Sequence, residues 1–571
     1  MVLNTSTTFY QDTIRVDADW DSSKPILTIQ GEGLVIDFNG LVLIGAGDPE
    51  RPDLFAGTAI RVETGRDIRI LQAKAHGFKV GLFGEDVSNL DLQNCDFSYN
   101  YRQRLGSTWA QEDENDWLYF HQNESDEWLR YGAGVYLKNC DSSKVHGLTV
   151  EGGQNGLMLV GCDQDSIFDN TIRFNSGVGI GLYRSGNNWI NHNRLDWNVR
   201  GYSHGKYARG QDSAGILCYE QSSNNTFSLN SATHCGDGFF LWTGQSTMDS
   251  GAGGCNDNHI FYNDFSHAPA NGIEVTFSRN VMEYNRLEDC RYGIWGGYSY
   301  ESIIRGNRIS NNDFGVAIEH GHGNMISQNR FSGNQVSIKI WEREEVPTDW
   351  GFVNQRDVSS RNYVINQNLF LGESLVLDVQ STDSLEINAN LIWDCDAFYA
   401  NPFWKEDLLF SRNQFSEGLV FPREVGLENK VLESLPDTSA WQGIITESAL
   451  DSMQGDFIQP GEQPQGRAYI LVDEWGPYDF RSPSIWLREI NEDVYTFLLL
   501  GPKEGNWKAI GGAGWDQINP KTGVFPATLV AKKTPGAPGP QLELEFIGAA
   551  FTDRFGRENS KGKVFSFAFG E

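Results

Sequence analysis

Four carboxylates and a set of aromatic rings recur around one short phrase, a Gly followed by alternating apolar residues. Asp237 stands immediately before Gly238-Phe-Phe-Leu-Trp242, and Asp212 shortly before Gly215-Ile-Leu-Cys-Tyr219. Glu274 is the acidic residue inside Gly272-Ile-Glu-Val275, and Glu319 closes Gly315-Val-Ala-Ile-Glu319-His320. If each phrase is a strand, the first and third residues after Gly point inward and the second and fourth outward. Phe240, Trp242, Trp295, Tyr183 and Tyr219 then lie outward, flanked by Arg184, Tyr298 and His320, with His204 and Arg209 just upstream of Gly215. An outward row of rings is an apolar stripe that calls for a ligand. Rings beside carboxylates suit sugar: a pyranose stacks its C–H face on Trp or Tyr, and its hydroxyls need fixed polar partners. Cleaving a glycosidic bond takes two carboxyls, and parallel strands about 4.8 Å apart can present them. Mutual repulsion raises the pKa of one and makes it the acid. On this reading Asp237 is the general acid and Asp212 the water-activating base. Glu274 is the substitute base and Glu319 a further carboxylate of the site. His204, Arg209 and Arg184 hold hydroxyls, Trp242 and Trp295 stack the ring, and Tyr183, Tyr298 and His320 complete the binding set.

The element that positions these residues is a repeat. Asn263, Asn285, Asn307 and Asn329 fall 22 residues apart, and Asn94, Asn170, Asn193, Asn230, Asn368, Asn390 and Asn413 extend the series. A fixed period of this size marks a solenoid. The intervening Asn, Ser, Asp, Gly and β-branched residues are poor helix formers, which argues against the helical back of a leucine-rich repeat. The reading is a coil of short parallel strands, with each Asn in a left-handed turn and hydrogen-bonded to the Asn above and below. Four intervals are too long, placing insertions at about 101–131, 200–213, 244–256 and 343–360, all beside the Gly-led strand. One-sided insertions in a solenoid mark a binding face. The fold class is therefore all-β: residues 1–57 an N-terminal β cap, 58–430 the parallel β-helix with the catalytic face. After that the period stops and 431–571 reads as a C-terminal antiparallel β-sandwich.

Composition narrows the partners. The formal charge is −31 over 571 residues, which argues against nucleic acid and anionic membranes. No run of 18 apolar residues is present to form a transmembrane helix. Cys140 and Cys162 lie one period apart and are expected to stack inward as small hydrophobes, and no Cys or His spacing suggests a metal. The expected location is secreted or periplasmic with the signal peptide missing from this chain; the alternative is cytoplasmic.

The 22-residue coils, the Asn turns and Gly-Asp237-Gly-Phe-Phe resemble the right-handed parallel β-helix (pectin-lyase-like) superfamily of carbohydrate-active enzymes. The resemblance covers 58–430 and implies a carbohydrate substrate. In the polygalacturonase branch catalytic Asp residues directly precede such a strand, the position of Asp237. The paired Asp-Asp and the Arg-Ile-Lys of that branch are absent, so pectin is not implied. Calcium-dependent lyases of the superfamily use acidic ligands for Ca2+; no such cluster is identifiable, and the expectation is no cofactor, with Ca2+ the alternative. Glycoside hydrolysis is the leading reading. Alternatives are a polysaccharide lyase or uronate epimerase, and a non-catalytic carbohydrate-binding solenoid.

Overall fold

The computed structural model describes residues 1–10, 12–106, 113–116, 122–200, 213–401, 407–422, 426–436, 463–502, 505–537, 541–559 and 564–568. Asp212, His204 and Arg209 lie outside the described residues. The chain divides into two compact units, Met1–Pro477 and Tyr478–Glu571. The first is a right-handed parallel β-helix. Among the described residues, parallel pairing joins 29 strands into one wound sheet, and a seven-stranded sheet from Arg286–Glu288 to Lys430–Leu432 forms a further side. Parallel stacking already begins at Val2–Leu3, which pairs with Leu27–Glu32 and through it with Thr58–Leu71. Residues 1–57 thus contain strands of the winding itself.

The face that carries the Gly-led phrases is built from consecutive strands. These are β1 (Ile180–Tyr183), β2 (Ala214–Tyr219), β3 (Asp237–Trp242), β4 (Asn271–Val275), β5 (Tyr292–Trp295), β6 (Phe314–Glu319) and β7 (Val336–Trp341). Each pairs in parallel with the next, so Leu217, Phe240, Glu274, Trp295, Ala317 and Lys339 align in one column. Tyr183, Tyr219 and Trp242 align in a second, which Glu319 and Trp341 continue further along. The alternate residues point inward: Ile216, Phe239, Ile273, Ile294, Val316 and Ile338 are all inaccessible to solvent.

The asparagine repeat is a continuous ladder. Side-chain amides donate in sequence from Asn170 to Asn193, Asn230, Asn263, Asn285, Asn307, Asn329, Asn368, Asn390 and Asn413, ending on Asn429, over 2.8–3.3 Å. The left-handed residue is the one before each ladder position. Tyr284, Gly306 and Gln328 have φ of 58°, 66° and 56°, while Asn285, Asn307 and Asn329 turn inward. The corner needs positive φ, whereas the ladder needs a side chain aimed along the axis, and one residue cannot serve both. Asn94, with φ of 54°, occupies the corner position and not the ladder. Asn307 Nδ2 also donates to Met282 O and its backbone N–H to Asn329 Oδ1, both at 2.9 Å. Replacing Asn307 with Ala takes the acceptor from the Asn285 backbone N–H, one of two acceptors from its side-chain amide, and one donor each from Asn329 Oδ1 and Met282 O. It should cost on the order of 1–3 kcal/mol in chemical denaturation.

A parallel cysteine stack runs beside it, where the backbone N–H of Cys140 lies 3.4 Å from Cys162 Sγ. The second unit holds two antiparallel four-stranded sheets enclosing Phe497, Leu499, Trp507, Leu529, Leu542, Leu544 and Phe546, a sandwich core. Of the span 431–571 expected as the sandwich, the described residues up to Pro477 belong to the β-helix unit, where Arg467 pairs with Asp289 and Asp313.

Candidate active site

The outward rings of β2–β6 are covered by two of the insertions. The first contains α1 (Gln245–Ser250) and the second α2 (Gly351–Gln355). Phe277, Tyr298, Met248 and Phe352 form a small apolar cluster between them and the sheet, with Trp242 and Trp350 at its edge. Arg356 fastens the two insertions together: it donates to Gly251 O at 2.6 Å, to Gly253 O at 3.1 Å and to the Tyr300 hydroxyl at 2.6 Å. Arg356→Met keeps the apolar stem but removes all three bonds, leaving Gly253 O with Asn256 Nδ2 as donor at 3.2 Å. Amide exchange should rise in both 244–256 and 343–360, with the melting temperature of the β-helix nearly unmoved. Equal exchange in variant and parent would show that the clasp is not held by this residue.

Between the sheet and these insertions lies a cavity of about 340 Å³, lined by Tyr219, Phe240, Trp242, Glu274, Thr276, Phe277, Trp295, Gly297, Tyr298, Glu319, Arg343, Pro347 and Trp350. Glu274 rises from its floor. One nitrogen ties it to Asp237: Asn271 Nδ2 donates to Asp237 Oδ1 at 2.8 Å and to Glu274 Oε2 at 2.7 Å, so these two oxygens are no more than about 5.5 Å apart. The backbone N–H of Asn271 also donates to Asp237 Oδ1, at 2.9 Å. Burial, together with the charge of Asp237, pushes the Glu274 carboxyl well above the ordinary glutamate range. Glu319 lies two coils on. Trp341 Nε1 donates to its Oε1 at 2.9 Å, and the Arg343 guanidinium contacts the same oxygen.

The structure brings Glu274, Glu319, Trp242, Trp295 and Tyr298 together around one cavity, with Tyr219 and Phe240, and among the described residues places Asp237, Tyr183, Arg184 and His320 outside its lining. The cavity sits over β2–β6, between 244–256 and 343–360. The alternation of the strands identifies the face but carries no information on which insertions bend over it. Asp237 is fully buried behind Asn271 and does not line the cavity. Tyr183 and Arg184 lie on an earlier coil under the first insertion: Tyr183 donates to Glu124 at 3.1 Å and packs edge-on against Trp128, while Arg184 pairs with Glu124. His320 is buried, with Nδ1 on Val358 O at 3.1 Å and Nε2 accepting the Arg343 N–H at 3.1 Å. It anchors the 343–358 loop from beneath, and its ring stacks on Tyr298.

Sequence reasoning missed Asn271, Arg343, Phe277 and Trp350. Asn271 had a signal, since it directly precedes Gly272 as Asp237 precedes Gly238. Phe277 had one too, since it stands one coil before Tyr298 in the same row; Arg343 and Trp350 had none, because they arrive on a loop without a period.

The chain is a parallel β-helix protein with an aromatic, carboxylate-bearing cleft on one face. It belongs to the family described as periplasmic copper-binding protein (NosD), whose model matches residues 55–206, 119–271 and 197–348, together just over half of the chain. No curated protein matches the sequence. Solved structures with a similar winding include the A-module of a mannuronan C-5 epimerase from Azotobacter vinelandii. It is 12% identical with a TM-score of 0.36, over 69% of this chain and 91% of that one. DFA-IIIase from Arthrobacter chlorophenolicus A6 is 12% identical with a TM-score of 0.31, over 64% and 71%. The catalytic domain of a GH87 α-1,3-glucanase is 11% identical with a TM-score of 0.34, over 70% and 69%.

The family description names copper, and the residues can be tested against it. Among the described residues no three His, Cys, Asp or Glu side chains converge where a metal ion could sit. The thiols serve packing: all but Cys395 are buried, and burial pushes Cys95 and Cys290 up to about 12. Cys95 and Cys290, so far from ionising, are poor copper ligands. The described residues do not fit a copper centre.

Proposed function

We propose that this protein is a carbohydrate-active enzyme that hydrolyses a glycosidic bond in the cleft over β2–β6. The observation that carries the reading is Glu274: a carboxyl that opens onto an aromatic cavity and is pushed toward its protonated form by burial and by Asp237 behind it. Such a group donates a proton to a leaving oxygen at neutral pH. Trp242, Trp295 and Tyr298 supply flat apolar surfaces for the sugar rings.

Glu319 is the partner. Two strand spacings and two residues along the strand separate it from Glu274, about 12 Å between Cα atoms. Glutamate side chains leaning toward one another from that distance leave room for a water, the arrangement of inversion rather than retention. Glu319, held in place by Trp341 and Arg343, takes a proton from water as the water oxygen attacks the anomeric carbon. Glu274 gives its proton to the departing oxygen, so the two carboxyls exchange roles and the bond is replaced by two hydroxyls. Asp237 acts through Glu274, and Asn271 sets their spacing. The experiment is a screen of oligosaccharides, followed by NMR of the product anomer at early times. Release of reducing ends with inverted configuration supports the assignment; an unsaturated product absorbing in the ultraviolet would show a lyase instead. The periplasmic description of the family supports a location outside the cytoplasm, which fractionation of the native host would test.

A further inference from the structure

We infer that the cleft takes a sugar chain of at least two units that carry no carboxylate, neutral or amino sugars rather than uronates, with the second unit seated beside α1. This rests on the carbohydrate reading above and deepens it.

A second cavity, about 310 Å³, adjoins the first and is lined by Trp242, Gln245, Met248, Asp249, Phe277, Asp349 and Trp350. Trp242, Phe277 and Trp350 line both, so three aromatic residues form a common wall. Each volume is near the lower end for a ligand pocket, and together they form a run of two adjoining seats. A chain crossing that wall keeps aromatic surface on both sides, which suits consecutive pyranose rings.

The charges in the two cavities are one-sided. Beside Glu274, the proposed proton donor, the described lining residues include three further carboxyls, Glu319 in the first cavity and Asp249 and Asp349 in the second, against one guanidinium, Arg343. Arg343 is already engaged with Glu319. Asp249 Oδ1 accepts one bond, from Gln245 Nε2 at 2.8 Å, and both Asp249 and Asp349 are exposed at the rim, where they can accept from hydroxyl or ammonium groups. Recognition of a uronate calls for a cation free to pair with its carboxylate, whereas here a uronate would face like charges on a chain of net charge −31. A neutral sugar meets acceptors for its hydroxyls, and an amino sugar meets opposite charge.

The test is binding, measured by calorimetry at low salt, of matched-length gluco-, glucosamine- and galacturono-oligosaccharides, from one to four units. Affinity should rise at least tenfold from one unit to two in the first two series. The uronate series should bind at least tenfold more weakly at equal length. Both aspartates are exposed, so the double variant Asp249→Asn with Asp349→Asn folds normally. It should narrow the ratio of neutral to uronate disaccharide affinity at least threefold, with uronate affinity rising. Uronates binding as well as or better than neutral chains would overturn the inference while leaving the carbohydrate reading intact. No gain from the second unit would remove the second seat. Failure of every series to bind would remove both the inference and the function on which it rests.

Discussion

Glu274→Gln is expected to lower turnover about 10²–10⁴-fold, the usual weight of general acid catalysis, while the substrate still binds. The substitution is close to isosteric, and Gln can keep its carbonyl toward Asn271 Nδ2, which donates to Glu274 at 2.7 Å. What is lost is the proton. Activity depends on that proton, so the parent enzyme should lose activity as pH rises through the Glu274 pKa, which burial and Asp237 have moved upward. Asp237→Asn removes the second cause. The Glu274 pKa falls, and the alkaline limb of the profile should move to lower pH, with turnover on the acid side retained. If Asp237 itself gave the proton, Asp237→Asn would abolish activity at every pH. Full activity in Glu274→Gln would reject the assignment of the acid.

The second large effect concerns stability against pH, through two carboxyls buried in the coil. Glu373 accepts from Asn334 Nδ2 at 2.9 Å and from Ser337 Oγ at 2.5 Å at the end of a second asparagine row, and burial pushes it up to about 7 from 4.5. Asp165 accepts the Ser143 N–H at 2.7 Å in a third row, and burial pushes it up to about 8 from 3.8. Between the unfolded and folded pKa the native chain holds a proton that the unfolded chain has released. Stability therefore falls as pH rises across that window, here from about 4 to about 8. For Glu373 alone the loss is about 3 kcal/mol. Glu373→Gln and Asp165→Asn keep the accepting oxygen and remove the ionisation. Each should be more stable than the parent at pH 8 and near equal to it at pH 4.5, measured by urea denaturation across the range. Variants that run parallel to the parent at every pH would show that neither group titrates on folding.

The parts of the molecule governed by a period were legible in the sequence. The 22-residue spacing yields the coil, its inward and outward columns, the Asn ladder and the stacked Cys140 and Cys162, because each coil repeats the same local requirement. The ladder was read one detail short: Tyr284 and Gln328, not the asparagines after them, take the left-handed corner. Residues of that kind have no compositional mark, since any side chain pointing to solvent can occupy the corner. At the site the period ceased to help. It placed Glu274, Trp295 and Glu319 on the outward face, but Asp237, nominated on its position before Gly238, lies buried behind Asn271. Arg343 and Trp350 come from an insertion whose path over the sheet depends on packing against Phe277 and Tyr298, contacts far apart in sequence.

The ladder has a consequence for how such a protein can change over evolutionary time. Asn307 to Asn329 is an interval of 22 residues and Asn329 to Asn368 one of 39, yet the amide bonds across them are 3.0 and 3.1 Å. The longer interval carries the whole 343–360 wall of the cleft and leaves no trace in the rung. A lineage can therefore lengthen, delete or exchange the loop at that corner without renegotiating the scaffold. The same coil could carry a differently shaped cleft after a single insertion event, and grafting a loop between ladder positions is the corresponding route for a designer.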